Sequence, residues 1–134
     1  MKELEVGGLY MLKLHEVQKA LDAKILVGED QLDRVAEMAC GCDLMSDVLA
    51  FTKIKTLLLT GLTNIQVINT ANVSDLSALI FVRGKVPGHD IVEAARAASI
   101  PVMLTNYTLF EACGILYSKG LKGCPAKKPS GKGV

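Results

Sequence analysis

The sequence has no tryptophan, and aromatic residues make up only 4% of its 134 positions. A core of stacked rings is therefore excluded, and Leu, Ile, Val, Ala and Met must fill the interior of a chain that is 50% hydrophobic. No apolar run approaches the ~20 residues that a membrane span needs. Met1 opens a charged segment with no apolar core behind it, so no signal peptide is expected and the protein is placed in the cytoplasm. The two histidines, His15 and His89, stand at or near helix starts, and neither has a Cys, Ser or Asp arrangement that suggests catalysis. The run Arg83-Gly84-Lys85-Val86-Pro87-Gly88 contains a Gly-Lys pair but lacks the earlier glycine of a phosphate-binding G-x-x-x-x-G-K-[ST] loop.

Cysteine is nearly as uninformative. Cys40-Gly41-Cys42 is one residue too short for a C-x-x-C zinc knuckle. Adding Cys113 and Cys124 reaches the four thiols of an iron–sulfur cluster without its ligand spacing. Unpaired thiols are the expectation, with no metal and no cofactor.

What is present begins with charge. The formal net charge is +1, but five lysines (Lys119, Lys122, Lys127, Lys128 and Lys132) follow Tyr117 with no acid among them. A mildly acidic body thus carries a basic tail, which has no aromatic residues for base stacking. No nucleic-acid or membrane partner is expected. The length suits one domain. Its mean hydropathy of +0.34 is high for a small monomer, and a subunit interface would cover the excess apolar surface, so a homodimer is expected.

Along the chain, residues 1–11 read as a leader or loosely attached strand broken at Gly7-Gly8. Leu14, Val17 and Leu21 share one face of a helix spanning Lys13 to Ala23, and Lys24–Val27 reads as a strand closed by Gly28-Glu29-Asp30. Gln31 to Asp43 supports two readings. Asp30 caps a helix bearing Leu32, Val35, Ala36 and Ala39, or a strand ends near Cys40. The strand is preferred, because Asp43 to Asp47 already offers a helix start running to about Thr52.

A regular alternation follows. Thr56–Thr60, Ala78–Val82 and Pro101–Thr105 read as strands. The helices between and after them are capped by Asn64, preceded by Pro87-Gly88, and capped by Asn106 or Thr108. This predicts an α/β fold with a parallel sheet of βαβ units, its strand ends aligned on one carboxyl edge. The run after Gly120 is rich in Pro, Gly and Lys, and residues 121–134 read as a disordered tail.

That edge is the first candidate site: Thr60, Gly61, Thr63, Asn64, Arg83, Gly84, Thr105, Asn106, Tyr107 and Thr108. Helix starts at Asn64 and Asn106 would offer backbone N–H groups to an anion, and Arg83, the one cation expected there, would clamp phosphate or carboxylate. Against this stands the plainer account in which Thr and Asn cap helices and Gly permits turns. The second candidate is Asp43, Ser46 and Asp47, whose carboxylates four residues apart would share a helix face. Helix-terminus stabilisation is the plainer role for them, and no third ligand is evident.

The segments TGLTNIQVINTA, FVRGKVP and IPVMLTNYTLFEACG, with the earlier DLMSDVLAF, resemble the DRTGG domain over roughly Leu12 to Gly120. Leu62-Thr63 stands where the family's Asp-Arg falls, and Val82-Arg83-Gly84 where its Thr-Gly-Gly falls. The resemblance implies a three-layer α/β sandwich with a largely parallel sheet, similar to the HPr kinase N-terminal domain. It implies a regulatory or dimer-forming role, as beside CBS domains in pyrophosphatases and within phosphotransacetylases. Stand-alone members tend to accompany iron-hydrogenase subunits. The leading expectation is a non-enzymatic, homodimeric ligand-sensing domain that binds an anionic nucleotide or metabolite. The alternatives are an assembly or adaptor protein of a redox enzyme such as an iron hydrogenase, and a small phosphate-handling enzyme using Arg83 with Asp43 or Asp47. No nucleophile–base pair is visible to support the last of these.

Overall fold

Strand Thr56–Thr60 is buried at every position, as a central strand covered on both faces must be. A computed structural model describes residues 4–6, 9–51 and 54–123 of the chain. The described elements run β1 (Leu4–Val6), β2 (Leu9–Lys13), α1 (Leu14–Leu21), β3 (Lys24–Val27), β4 (Val35–Ala36), β5 (Met38–Gly41), α2 (Met45–Phe51) and β6 (Thr56–Thr60). They continue with α3 (Ile65–Val73), β7 (Leu76–Phe81), α4 (His89–Ala97), β8 (Val102–Leu104), α5 (Leu109–Ser118) and β9 (Lys122–Gly123). The strand reading before Asp43 holds, since β5 pairs with β6 from Met38↔Thr56 to Gly41↔Leu59.

Six strands form one sheet in the order β3-β8-β7-β6-β5-β9. All neighbours are parallel except β3, which runs antiparallel to β8. A small antiparallel sheet, β1-β2-β4, stands beside it. The strand alternation sorts the core into two halves. Leu57, Leu59, Ala78, Ile80 and Met103 pack with Leu14, Val17 and Leu21 of α1 and Ala112 and Leu116 of α5. Leu58, Leu79, Phe81 and Val102 pack with Val48 of α2, Val67 and Ile68 of α3, and Ile91 and Ala95 of α4. Helix layers thus cover both faces of a largely parallel sheet, the expected three-layer α/β architecture. Successive crossovers β5-α2-β6-α3-β7-α4-β8 step across the sheet in one direction. Helix α5 then returns over the opposite face, so that β9 can pair with β5.

Some elements fall beyond the boundaries expected of the domain. The leader contains β1 and most of β2, and the sheet continues through Lys122–Gly123. A loosely attached strand was one reading of the leader, whereas β9 was not legible locally, because so short a strand exists through its partner rather than its own periodicity. The rest of the expected tail, with Cys124, Lys127, Lys128 and Lys132, lies outside the described residues, as does the end of the α2 helix expected near Thr52. Among the described residues, no helix is long and apolar enough to cross a membrane.

Candidate functional site

The registers Thr60↔Phe81 and Phe81↔Leu104 set the last residues of β6, β7 and β8 abreast. Their following loops therefore leave the sheet at one level. Thr60 and Thr105 are buried there and spend their hydroxyls on the fold. Thr60 Oγ1 donates to Asp43 Oδ1 at 2.8 Å and accepts from the Leu62 amide at 3.2 Å. Thr105 Oγ1 donates to the Leu21 carbonyl at 2.7 Å, pinning the end of α1 to the sheet edge.

Asn64 caps α3, its side chain accepting from the Gln66 amide at 3.0 Å. Thr108, not Asn106, caps α5, accepting from the Glu111 amide at 3.4 Å. Asn106 lies too far ahead of the first helical residue, Leu109, to reach that turn's amides, and Thr108 has the extended backbone of a cap. Asn106 faces sideways instead: a Cβ built on Gly84 would lie 2.8 Å from its Oδ1.

The turn after β7 is the unusual part. Arg83 and Gly84 both adopt left-handed backbone, with φ of 59° and 65°. A second residue in that region is unremarkable for glycine, but a side-chain-bearing residue there is strained. The turn is held by Arg83 N donating to the Tyr107 carbonyl at 2.8 Å and Gly84 N to that of Thr105 at 2.9 Å. Arg83 is exposed. Its Nη2 lies against Gly61, where an added Cβ would meet it at 3.0 Å and Asp43 Oδ2 at 3.7 Å. Among the described residues, Arg83 has no ion-pair partner within 4.0 Å.

Asp43 joins this edge, so the two candidate sites meet in part. It precedes α2 rather than lying on it, which removes the shared helical face with Asp47. Its Oδ1 accepts from Gly61 N at 2.8 Å as well as from Thr60. The Gly61 hydrogen bond chiefly lowers its pKa from the ordinary 3.8; burial opposes this, while Thr60, Arg83 and Lys85 assist. Lys85 is therefore a second cation at the edge, correcting the expectation that Arg83 stands alone. Ser46 and Asp47 lie exposed on α2, Thr63 is half-buried, and no cluster of three metal-ligating residues occurs among the described residues.

The cysteines are divided by the sheet. Cys40 and Cys42 pack with the α2–α4 side and Cys113 with the α1–α5 side, and none of the three forms a disulfide. Burial pushes the Cys113 thiol up.

A cavity of about 300 Å³ opens beside the Arg83 turn, lined by Leu21, Asp22, Asn106 and Tyr107. Sequence reasoning missed its α1 half. Residues 22 and 106 are brought together by the β3–β8 pairing, Lys24↔Leu104, and by the Thr105–Leu21 hydrogen bond, so no local pattern announces them. Lys85, by contrast, lies two positions after Arg83 in the same polar run.

Compared with known families, residues 16–118 match the DRTGG domain. The chain belongs to the DRTGG domain family. Among solved structures, this DRTGG domain is similar to the CBS and DRTGG domains of the regulatory region of Clostridium perfringens pyrophosphatase, complexed with its activator diadenosine tetraphosphate. The TM-score is 0.66 at 17% identity, covering 81% of this chain and 47% of that one. The likeness at that identity is one of fold, and the chain spans about half the length of that neighbour. No curated protein matches it in sequence. Within this DRTGG domain, Arg83 and Gly84 occupy two successive left-handed positions. A cation has been set where glycine is the residue of least strain.

Proposed function

We propose that this DRTGG domain is a non-enzymatic, homodimeric regulatory module that senses an anionic nucleotide or metabolite at the carboxyl edge of its sheet. The observation that carries this reading is Arg83 itself: exposed, held at a φ of 59°, and flanked by Lys85. A strained residue at a sheet edge where α/β proteins bind ligands is a mark of use rather than of folding. The regulatory setting of the pyrophosphatase neighbour, complexed with a nucleotide activator, supports the same class of ligand. A homodimer would cover exposed Phe110 and Tyr117, which are 87% and 64% exposed and lie two turns apart on α5.

The test is a thermal-shift panel of nucleotides, diadenosine tetraphosphate and small anions, because a ligand specific for the folded state raises Tm. Stabilisation by at least one nucleotide or anion, lost in Arg83→Ala, is expected. A flat response across the panel would overturn the sensing role. The same apolar α5 surface favours the second reading, an adaptor docked to a redox-enzyme subunit. Co-purification of such a subunit from the native host, alongside that flat panel, would establish it instead.

A further inference from the structure

We infer that the edge recognises a nucleoside monophosphate in two parts, with the phosphate on Arg83 and Lys85 and the nucleoside in the cavity of Leu21, Asp22, Asn106 and Tyr107. This rests on the sensing reading and adds to it a ligand class and a second subsite.

Three observations carry it. The first is size: about 300 Å³ stands at the small end of the ~300–1,000 Å³ range of ligand pockets, room for one nucleoside and not for two. The second is chemistry, which differs between the two ends. Tyr107 offers a partly exposed ring on which a base can stack, beside the fully buried Leu21. Asn106 brings both donors and an acceptor, and Asp22 brings an acceptor-only carboxylate. That end suits hydroxyl and amine donors and repels a second phosphate. The cations lie at the Gly61 side, so the ligand must carry its negative charge at one end only.

The third is spacing. Gly61 follows β6, Arg83 follows β7 and Tyr107 follows β8, with the three strand ends abreast. Neighbouring strands lie about 4.8 Å apart, so the ends of β6 and β8 at Thr60 and Leu104 are separated by roughly 10 Å, the span of a nucleotide rather than of a bare anion. The two parts are also mechanically one. Arg83 N and Gly84 N are hydrogen-bonded to the carbonyls of Tyr107 and Thr105, and Gly84 leaves room for the Asn106 amide. A site assembled this way loses little freedom on binding.

The experiment is calorimetric titration of the full chain with the four common ribonucleoside monophosphates, ribose 5-phosphate and inorganic phosphate. The best monophosphate is expected to bind about tenfold or more tighter than ribose 5-phosphate, the value of one stacked base. Tyr107→Ser should bring it down to the ribose 5-phosphate level while leaving ribose 5-phosphate unchanged. Asp22→Asn should weaken the monophosphate without affecting inorganic phosphate. If ribose 5-phosphate binds as tightly as every monophosphate, the cavity reads no base and the inference fails while sensing stands. If none of these probes binds, the inference fails, and the wider anion panel decides separately whether the sensing role falls with it.

Discussion

Asp43 and Gly61 are joined across the gap between two strand ends, the Gly61 amide donating to Asp43 Oδ1 at 2.8 Å. The loop after β5 is thereby tied to the loop after β6, and the other carboxylate oxygen is left facing the Arg83 guanidinium. Asp43 organises the edge while moderating its charge.

Removing that tie should cost stability. Asp43→Ala is expected to lose about 1 kcal/mol, a value toward the low end for charge-assisted hydrogen bonds because the residue is exposed. Asp43→Asn, which retains an acceptor, should lose less. The folded-state pKa of Asp43 is depressed, so its contribution is fully present above the unfolded value of 3.8 and is lost as pH falls below it. Denaturant titrations of wild type and Asp43→Asn should accordingly diverge at neutral pH and converge in acid. A difference that does not vary with pH would contradict this assignment.

Arg83→Gly separates strain from binding. Glycine removes a left-handed penalty of about 1–2 kcal/mol per ordinary residue, partly offset by greater freedom in the unfolded chain. The variant should be at least as stable as wild type by thermal denaturation yet fail to respond to any anion. A large loss of stability would make Arg83 structural.

Gly84→Ala is predicted to destabilise by about 1–2 kcal/mol, because alanine is strained at a φ of 65° and its Cβ would press on Asn106. Gly61→Ala differs in kind. Its Cβ presses on the flexible end of Arg83 and stands at ordinary contact distance from Asp43 Oδ2, so Tm should hardly move while anion affinity falls.

On the opposite face, a Cβ on Gly41 would lie 2.5 Å from Cys113 Sγ. Gly41→Ala should therefore cost about 1–3 kcal/mol by overpacking. In a double-mutant cycle, Cys113→Ala should recover part of that loss. Simple additivity would show that the two sites do not touch.

While the segment of β5 supported two readings, the alternation of short Leu-, Ile- and Val-rich runs with helical patterns was sufficient to identify β6 to β8 and the helices between them. Each of those elements declares itself through its own periodicity and caps. The polar residues at Thr60, Arg83 and Thr105 were legible as strand ends for the same reason. Their division of labour was not. Only the packed structure shows that the Thr60 and Thr105 hydroxyls are consumed in tying loops together, that Thr108 rather than Asn106 caps α5, and that Asp43 leaves its helix to reach Gly61. Hydrogen bonds between residues far apart in sequence leave no local periodic signal. The sequence by itself thus determined the layered α/β fold and the edge where its strands end. Tertiary structure alone decided that Arg83 is strained and exposed there, and that Asp22, 84 positions from Asn106, closes the cavity beside it.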